Sequence, residues 1–300
     1  MKISAVICTR NRADYLPQAI RSLAEQNIVR DDYEIIVVDN ASTDATEEIV
    51  RRLIGETPNL RYVHESSAGL SAARNRGLNE AVAPIVAFLD DDALAANGWL
   101  AAILEAFKTE PRPACVGGPV EIWWEIPKPS WFPSSLLGCH NRRYGDHAHW
   151  YNFPAEHPIG CNMAFVKQCV EEVGGFNVLL EQYNDETELT QRIVQAGGGI
   201  FYQPAASVRH LVAKERLSFS WQMKRHYREG ISLAIAATSK VPPARMRRIK
   251  EVRHDLLSIA KRCVRLIISR DPVTARVDRL AHLSMLVGKV VYLTKSLRQR

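Results

Sequence analysis

The sequence lacks the patterns that mark zinc-binding, disulfide-bonded and membrane-spanning proteins. No two of its six cysteines form a Cys-x-x-Cys pair, so neither a zinc site nor a disulfide framework is indicated. Uncharged runs such as residues 230–239 reach only about ten residues, which is too few to span a bilayer. Residues 1–10 return to charge after a short apolar run, unlike a secretory signal. These absences lead us to expect a cytoplasmic protein with reduced thiols.

The common nucleotide-binding fingerprints are also missing. No Gly-x-Gly-x-x-Gly motif follows the first apolar run, where a dinucleotide-binding fold would carry it. No Gly-x-x-x-x-Gly-Lys-[Ser/Thr] motif is present either, which argues against a P-loop. Any phosphate group must therefore be held by other means.

The composition is that of a globular chain whose charge is unevenly distributed. Of its 300 residues, 46% are apolar and 24% are charged, so it can bury a core of one large domain or two small ones. Residues 241–300 hold fifteen Lys or Arg and four Asp or Glu, a net charge of +11, whereas the rest carries −5. A mildly acidic body with a basic C-terminal segment is indicated, and such a segment suits anionic lipid, nucleic acid or another protein.

The first 110 residues alternate between strand and helix patterns. Apolar runs predict four buried strands, at Lys2–Cys8, Glu34–Val38, Leu60–Val63 and Pro84–Leu89. Strands buried on both faces and separated by helices indicate an α/β fold with a mainly parallel sheet. Ligands of such sheets bind beyond the carboxyl ends of the strands. The segments expected there are Thr9–Asn11, Asp39–Asn40, Ser66–Arg74 and Asp90–Asp92.

Three consecutive aspartates, Asp90, Asp91 and Asp92, follow the fourth predicted strand directly. Carboxylates clustered at a buried strand end raise one another's pKa, which is costly unless a cation neutralises them. Mg²⁺ or Mn²⁺ prefers oxygen ligands and commonly combines one or two carboxylates with substrate phosphates. The alternative is a polar turn in which an aspartate caps the next helix.

Several short motifs follow one another in a specific order and with a specific spacing along the chain. They are Ile7–Arg12, Val37–Asp44, Gly69–Asn75, Phe88–Asp92, Gly160–Phe165, Gly174–Phe176 and Asp185–Leu189. Together they resemble the family 2 glycosyltransferases, whose nucleotide-sugar-binding domain has the Rossmann-like GT-A fold. The resemblance implies a GT-A domain over residues 1–215, with a nucleotide-binding half at 1–110 and an acceptor-binding half at 111–215. A basic helical extension over residues 216–300 would follow it.

The resemblance also implies roles for individual residues. Asp92 would be the ligand of a Mn²⁺ or Mg²⁺ cofactor, and His210 a further metal ligand or phosphate contact, although a single histidine is equally often structural. Nucleotide-sugar contacts would come from Thr9, Arg10, Asn11, Asp39, Arg74, Asp90 and Asp91. Taken singly, several of these are ordinary turn or surface residues.

A carboxylate base is expected at the start of a helix predicted over residues 185–196. Asp185 and Glu186 flank the inner face of that helix at similar angles, whereas Glu188 points away, so periodicity leaves two candidates. The family usually reads Glu-Asp-x-Glu-Leu here, with the aspartate as base, and this chain reads Asp-Glu-Thr-Glu-Leu. Either Glu186 is the base, or Asp185 replaces it, or turnover is impaired. Acidic residues also favour a helix N-terminus through its dipole.

The aromatic segment of residues 121–158 has no regular pattern and contains five prolines. Long irregular segments in compact domains are often binding loops, and aromatic faces suit sugar C–H surfaces. We therefore predict an acceptor-binding lid that includes Trp123, Trp124 and Trp131. The alternative, which is compatible with the first, is a loop packed by its own aromatic side chains.

Two amphipathic helical patterns with cationic faces lie in the basic segment. The first has apolar positions Ile249, Val252, Leu256, Ile259, Cys263 and Ile267, and the second runs from Leu280 to Leu297. Such helices bind anionic membrane surfaces, which would place the protein peripherally on the inner face of the cell membrane. Packing on the body or a dimer contact would produce the same pattern, so the oligomeric state stays open.

The sequence thus predicts a metal-dependent, inverting glycosyltransferase of the hexosyl- or N-acetylhexosaminyltransferase type. Its donor would be a nucleotide diphosphate sugar, with a UDP-sugar expected, and its acceptor a hydroxyl of a saccharide or lipid-linked molecule in polysaccharide or glycoconjugate synthesis. The alternative is a catalytically impaired GT-A-fold protein that acts as a membrane-associated scaffold, which the Asp-Glu order alone favours. A nucleic-acid partner is not expected, because the body is acidic.

Overall fold

The structure, a computed structural model, describes residues 1–180, 183–239, 252–261, 263 and 272–298. It divides into two compact units. The first comprises Met1–Trp123 and Cys139–Leu211, and the second comprises Trp124–Gly138 and Val212–Arg300. Part of the aromatic segment therefore groups with the C-terminal helices.

Within the described residues, eleven strands build two sheets. They are β1 (Ile3–Thr9), β2 (Tyr33–Asp39), β3 (Leu60–His64), β4 (Ile85–Asp90), β5 (Ala93–Ala95), β6 (Cys115–Gly117), β7 (Val120–Trp124), β8 (His149–Trp150), β9 (Asn162–Val166), β10 (Ile200–Tyr202) and β11 (Val208–Val212). The larger sheet has the order β3-β2-β1-β4-β9-β6-β10-β8, and the smaller one has the order β5-β11-β7. Strands β1 to β4 pair in parallel, whereas β9 runs antiparallel to both β4 and β6. The predicted α/β fold is confirmed.

Helices cover both faces of the larger sheet. They are α1 (Leu16–Ala24), α2 (Thr46–Ile54), α3 (Leu70–Glu80), α4 (Trp99–Ala106), α5 (Lys167–Glu172) and α6 (Asp185–Gln195). Alternate residues of β1 point to opposite faces, so that Ile7 packs in a core with α1, α2 and α4 while Val6 packs with α3, α5 and α6. This two-sided burial explains why the strands read as continuous apolar runs.

Asn162, the first residue of β9, is buried and ties three segments together. Its Nδ2 donates to the carbonyl oxygens of Pro119 at 3.0 Å and Ala206 at 2.8 Å, and its Oδ1 accepts from Trp99 Nε1 at 2.8 Å. Asn162 also pairs with Leu89 in the sheet register. The asparagine therefore holds three chain segments in place around Leu89, the residue before Asp90.

The second unit contains long helices, α7 (Phe219–Ser239) and α8 (Val273–Arg298), together with a helical segment at residues 252–261. Ser284 Oγ donates to the Met223 carbonyl, and a Cβ on Gly230 or Gly288 would collide with the backbone of the facing helix. Met223 of α7 lies against Ser284 of α8, and Tyr227, one turn further along α7, lies against Gly288, one turn further along α8. The two helices therefore run parallel, and their backbones touch where they cross. No described helix is long and apolar enough to cross a bilayer.

The predicted helical extension is confirmed, with a different buried face on the middle helix. Val252 and Asp255 are buried there, and Asp255 pairs with Lys289 at 2.9 Å. Leu256, predicted on the apolar stripe, is 50% exposed. Ile249 and Ile267 of the same stripe lie outside the described residues.

We expect Asn162→Ala to destabilise the protein by roughly 2–4 kcal/mol, because it removes the acceptor of the buried Trp99 indole N–H and the Nδ2 donor to the Ala206 carbonyl, while the Pro119 carbonyl keeps its bond from the Val208 N–H. Urea unfolding measures this change. Asn79→Ala, at an exposed position of α3, serves as the matched control and should stay within about 0.5 kcal/mol. Equal unfolding midpoints for the two variants would contradict the structural role of Asn162.

Candidate active site

The carboxyl ends of β1, β2 and β4 meet at one edge of the larger sheet. Thr9 lies beside Asp39 in the register of β1 and β2, and Cys8 lies beside Asp90 in the register of β1 and β4. The polar residues that the sequence predicts at this edge are thus neighbours in the structure.

Asp90, Asp92 and His210 form a cluster whose potential ligand atoms all lie within 4.8 Å of one another. His210 reaches Asp92 because β11 pairs with β5, which places His210 opposite Ala93. Its Nε2 lies 2.9 Å from Asp92 Oδ1, and both side chains are buried. Two carboxylates and an imidazole are a donor set that suits Mn²⁺ and is acceptable to Mg²⁺. The residues present therefore fit a divalent cation.

The other residues of the aspartate run and its surroundings are held separately. Asp91 accepts a hydrogen bond from Thr9 Oγ1 at 2.7 Å. Burial and then the neighbouring Asp92 raise the pKa of Asp91 to about 7. Arg12 lies 4.0 Å from Asp92 and is the closest guanidinium to that carboxylate among the described ion pairs. Arg10 is exposed.

Asp39 is fixed by the loop that follows it and by β3. Its Oδ1 accepts from the Ser42 N–H at 2.9 Å, and its Oδ2 accepts from the Tyr62 hydroxyl at 2.8 Å. Asn11, with a φ of +54°, accepts from the Thr43 N–H at 2.7 Å. The loops after β1 and β2 are thereby joined into one rigid edge.

Arg74 of α3 is buried and holds three acceptors. Its guanidinium lies 2.5 Å from Asp185 Oδ2 and 3.5 Å from Asp90 Oδ1, and it donates to the Gly160 carbonyl at 3.2 Å. Burial opposes its charge, but Asp185 and Asp90 hold the pKa of Arg74 above its usual value. Its side chain is only 3% exposed. Through its two ion pairs, this buried guanidinium links the aspartate run to the start of α6.

The structure separates the three acidic residues that open α6. Asp185 is buried against Arg74, whereas Glu186 is half-buried. Burial, then the charge of Asp185 and a side-chain hydrogen bond with Asp185, raise the pKa of Glu186 to about 8. Glu188, predicted to point away from the inner face of α6, is nevertheless not exposed. It is buried and paired with Arg192 at 2.7 Å, because Arg192 reaches back to the loop carbonyls of Val173 and Gly175.

The three tryptophans of the predicted acceptor lid do not share one compact unit. Trp123 lies in the first unit, under the guanidinium of Arg209 at 5.4 Å from its ring centroid. Trp124 and Trp131 lie in the second unit, where Trp131 packs edge-on against Phe132 with centroids 5.6 Å apart. Part of this segment is regular, since Trp123 and Trp124 end β7.

Sequence reasoning missed several residues of this region. Tyr62 binds Asp39 from a strand whose apolar pattern gave no hint of a polar role. Asn40 accepts from the Gly69 N–H at 2.8 Å and donates to the Ser67 carbonyl at 2.6 Å, which anchors the loop before α3. Asn40 stands inside a recognisable motif and Tyr62 does not, and their partners are 23 or more residues away, so only the fold identifies them.

Comparison with known proteins gives consistent similarities. The family model "Glycosyl transferase family 2" matches residues 4–174. The glucosyl-dolichyl phosphate glucuronosyltransferase of Haloferax volcanii is 27% identical over 248 residues, covering 77% of this chain and 76% of that protein. The succinoglycan biosynthesis protein ExoM of Rhizobium meliloti is 30% identical over 234 residues, covering 77% of this chain and 73% of that protein.

Solved structures share the fold. The mannosyltransferase PcManGT from Pyrobaculum calidifontis, in complex with GDP-Man and Mn²⁺, superposes with a TM-score of 0.66 at 19% identity, covering 98% of this chain and 87% of that chain. S. aureus TarS 1–349 in complex with UDP superposes with a TM-score of 0.55 at 16% identity, covering 100% and 92%.

We expect His210→Ala to weaken Mn²⁺ binding by at least about tenfold, because the cluster loses its only nitrogen donor. Asp92→Asn should weaken it further. A Mn²⁺ titration followed by the shift in melting temperature at a fixed UDP concentration measures the affinity. His64→Ala, at an exposed position at the end of β3, is the control. Unchanged Mn²⁺ titrations for His210→Ala would show that this histidine is structural.

Proposed function

The chain belongs to glycosyl transferase family 2, and from that premise we propose that it moves a sugar from a nucleotide diphosphate to a hydroxyl of a saccharide or lipid-linked acceptor, with inversion. The observation that carries this proposal is the convergence of Asp90, Asp92 and His210 at the same sheet edge as Asp39, with Arg74 extending from Asp90 to the start of α6. This arrangement combines a cation site with a base site.

A nucleotide diphosphate sugar, with UDP as the carrier, suits the proposed donor site. Asp92 and His210 would hold Mn²⁺ or Mg²⁺, and a bound cation of this kind supplies positive charge next to a diphosphate leaving group. The nucleotide would be contacted by Thr9, Arg10, Asn11, Asp39, Asp90 and Asp91. Arg74, which is buried, would act indirectly, through its ion pair with Asp90. Support comes from the fold shared with structures that contain GDP-Man with Mn²⁺ and UDP.

Glu186 is the proposed general base. Asp185 is buried and its Oδ2 is paired with the buried Arg74, whereas Glu186 is partly exposed. The acceptor hydroxyl would give its proton to the Glu186 carboxylate as its oxygen bonds to the anomeric carbon and the bond to the diphosphate breaks. A base whose pKa is close to the working pH is ionised in a useful fraction of molecules and is still basic enough to accept the proton. Asp185 would act as a positioning residue that keeps this pKa high.

The acceptor would lie against the aromatic segment. Trp123, Trp124 and Trp131 remain proposed acceptor contacts, because exposed aromatic faces suit sugar rings. Each of the three is partly exposed, which leaves ring area for a ligand.

We expect kcat/KM to rise with pH through a midpoint near 8, because Glu186 must lose its proton before it can accept one. Glu186→Gln should reduce transfer by on the order of 10²- to 10⁴-fold while the UDP and Mn²⁺ melting shift is retained. Glu171→Gln, at an exposed position of α5, is the control. A wild-type protein that binds UDP with Mn²⁺ but turns over no UDP-, GDP- or other nucleotide sugar would instead support the scaffold alternative.

We further propose that the second unit binds the inner face of the cell membrane through the helix at residues 252–261. Leu256 and Leu257 are 50% and 56% exposed on it, and Arg253 and Lys261 are exposed beside them. Asp255, the acidic residue of this helix, is turned inward to Lys289. An apolar pair between cations suits an anionic bilayer, whereas two such surfaces would repel each other in a dimer.

We expect the full chain to float with vesicles that contain anionic lipid and to remain unbound with neutral vesicles. Replacing Leu256 and Leu257 together by Asp should abolish flotation, whereas Val82→Asp, at an exposed position of the first unit, should not. The membrane proposal fails if the wild-type chain does not float at low salt.

A further inference from the structure

One face of α3 holds the segment that leads to the proposed base. Ser71, Arg74 and Asn75 lie at positions i, i+3 and i+4, which share a helix face. Ser71 Oγ donates to the Leu180 carbonyl at 2.5 Å, and Arg74 binds Asp185. Leu180 and Asp185, which lie on either side of residues 181–182 that the structure does not describe, are therefore both attached to α3.

Asn75 makes the most specific of these attachments. Its Nδ2 donates to the Phe176 carbonyl at 2.9 Å, and its Oδ1 accepts from the Phe176 N–H at 2.8 Å. Both main-chain polar groups of one loop residue are satisfied by one side chain, as a neighbouring strand would satisfy them. The loop has no freedom to slide along α3 while both bonds are made.

The side chain of Phe176, whose main chain Asn75 holds, packs in the core. Its ring packs edge-on against Phe88 of β4 with centroids 5.4 Å apart, and the Arg74 guanidinium lies over it at 5.7 Å. Phe176 thus sits between the strand that delivers the aspartate run and the cation that binds Asp185. A shift of its backbone would move all of these groups relative to one another.

Gly175 must lack a side chain for this attachment to form. A Cβ there would lie 2.8 Å from Asn75 Oδ1, and the residue has a φ of +73°. Gly174 has a similarly positive φ of +88°, but a Cβ there would meet nothing within 4 Å. The two neighbouring glycines therefore share the backbone requirement and differ in contact with Asn75.

We propose that Asn75 is a positioning residue for sugar transfer: by clamping the main chain of Phe176, whose ring packs against Arg74, it sets where Arg74 holds Asp185 and hence where the adjacent Glu186 presents its carboxylate. The inference rests on the proposed role of Glu186 as base. Asn75 itself touches neither the Asp90, Asp92 and His210 cluster nor Glu186 in the described contacts. Its effect on the reaction is therefore indirect and should appear in turnover rather than in donor binding.

We expect Asn75→Ala to lower kcat by on the order of 10- to 100-fold, the scale of a misplacement of about 1 Å at a reacting group. The donor KM and the melting shift with UDP and Mn²⁺ should change less than about twofold, since no donor contact is lost. Asn75→Asp keeps the acceptor for the Phe176 N–H and loses the donor, so an intermediate kcat is expected. Asn79→Ala, four residues along the same helix and exposed, is the control and should be as active as the wild type.

The pH profile separates positioning from a general loss of folded protein. A smaller folded fraction would scale the whole profile and leave its midpoint in place. Displacement of Glu186 from Asp185 would lower the midpoint, because the neighbouring negative charge helps to hold the pKa up. Unchanged kcat, or a reduced kcat with the wild-type midpoint, in Asn75→Ala would overturn the proposal.

A glycine pair provides the second, independent test. Gly175→Ala should reproduce the kcat loss of Asn75→Ala, and Gly174→Ala should lose less, since both carry the left-handed strain and only the first meets Asn75. Equal losses in the two glycine variants would contradict the clamp. If Glu186→Gln keeps full activity, the proposed base fails whatever Asn75 does. If Glu186→Gln is inactive and Asn75→Ala is normal, the positioning role alone fails.

Discussion

The buried guanidinium of Arg74 is the interaction on which the rest of this site depends. It stands between a carboxylate at the end of β4 and another at the start of α6, which are 95 residues apart in sequence. A buried charge is tolerated when it is paired and its remaining hydrogen bonds are made, and Arg74 meets both conditions with the help of Gly160. Removing it would leave the buried carboxylate of Asp185 and the partly exposed carboxylate of Asp90 without this counter-charge. The proposed donor site and the proposed base therefore share one structural cation.

Around this cation the site carries an excess of negative charge. Asp90, Asp91 and Asp92 lie together, and Asp185 and Glu186 lie close by, while Arg74 and Arg12 are the cations that the described ion pairs place among them. Burial, and after it this imbalance, raises the pKa values of Asp91 and Glu186. A site of this kind attracts a divalent cation and holds a carboxyl ready to change its protonation state near neutral pH. Both properties are those that a sugar-nucleotide transferase requires.

Much of this arrangement could be predicted from the sequence. Continuous apolar strands followed by polar residues predict an α/β sheet with a polar edge, and the motifs predict the family; both are confirmed. The pairing of His210 with the aspartate run depends on the β5–β11 register, which local patterns do not encode. Helical periodicity did not predict the burial of Glu188, because it identifies one inner face, whereas α6 contacts protein on a second side through Arg192. The division of the tryptophans between two units likewise depends on tertiary contacts across the aromatic segment.

The order of the two acids at the start of α6 has a consequence for substitutions there. The inner position accommodates a short side chain sealed against Arg74, and an extra methylene there would have to overpack a buried pair. The outer position carries the longer acid and is partly exposed. A single exchange at either position gives two short or two long acids side by side. Because the two residues are neighbours and Asp185 shares its buried partner with Asp90, we expect substitutions at positions 185 and 186 to have non-additive effects.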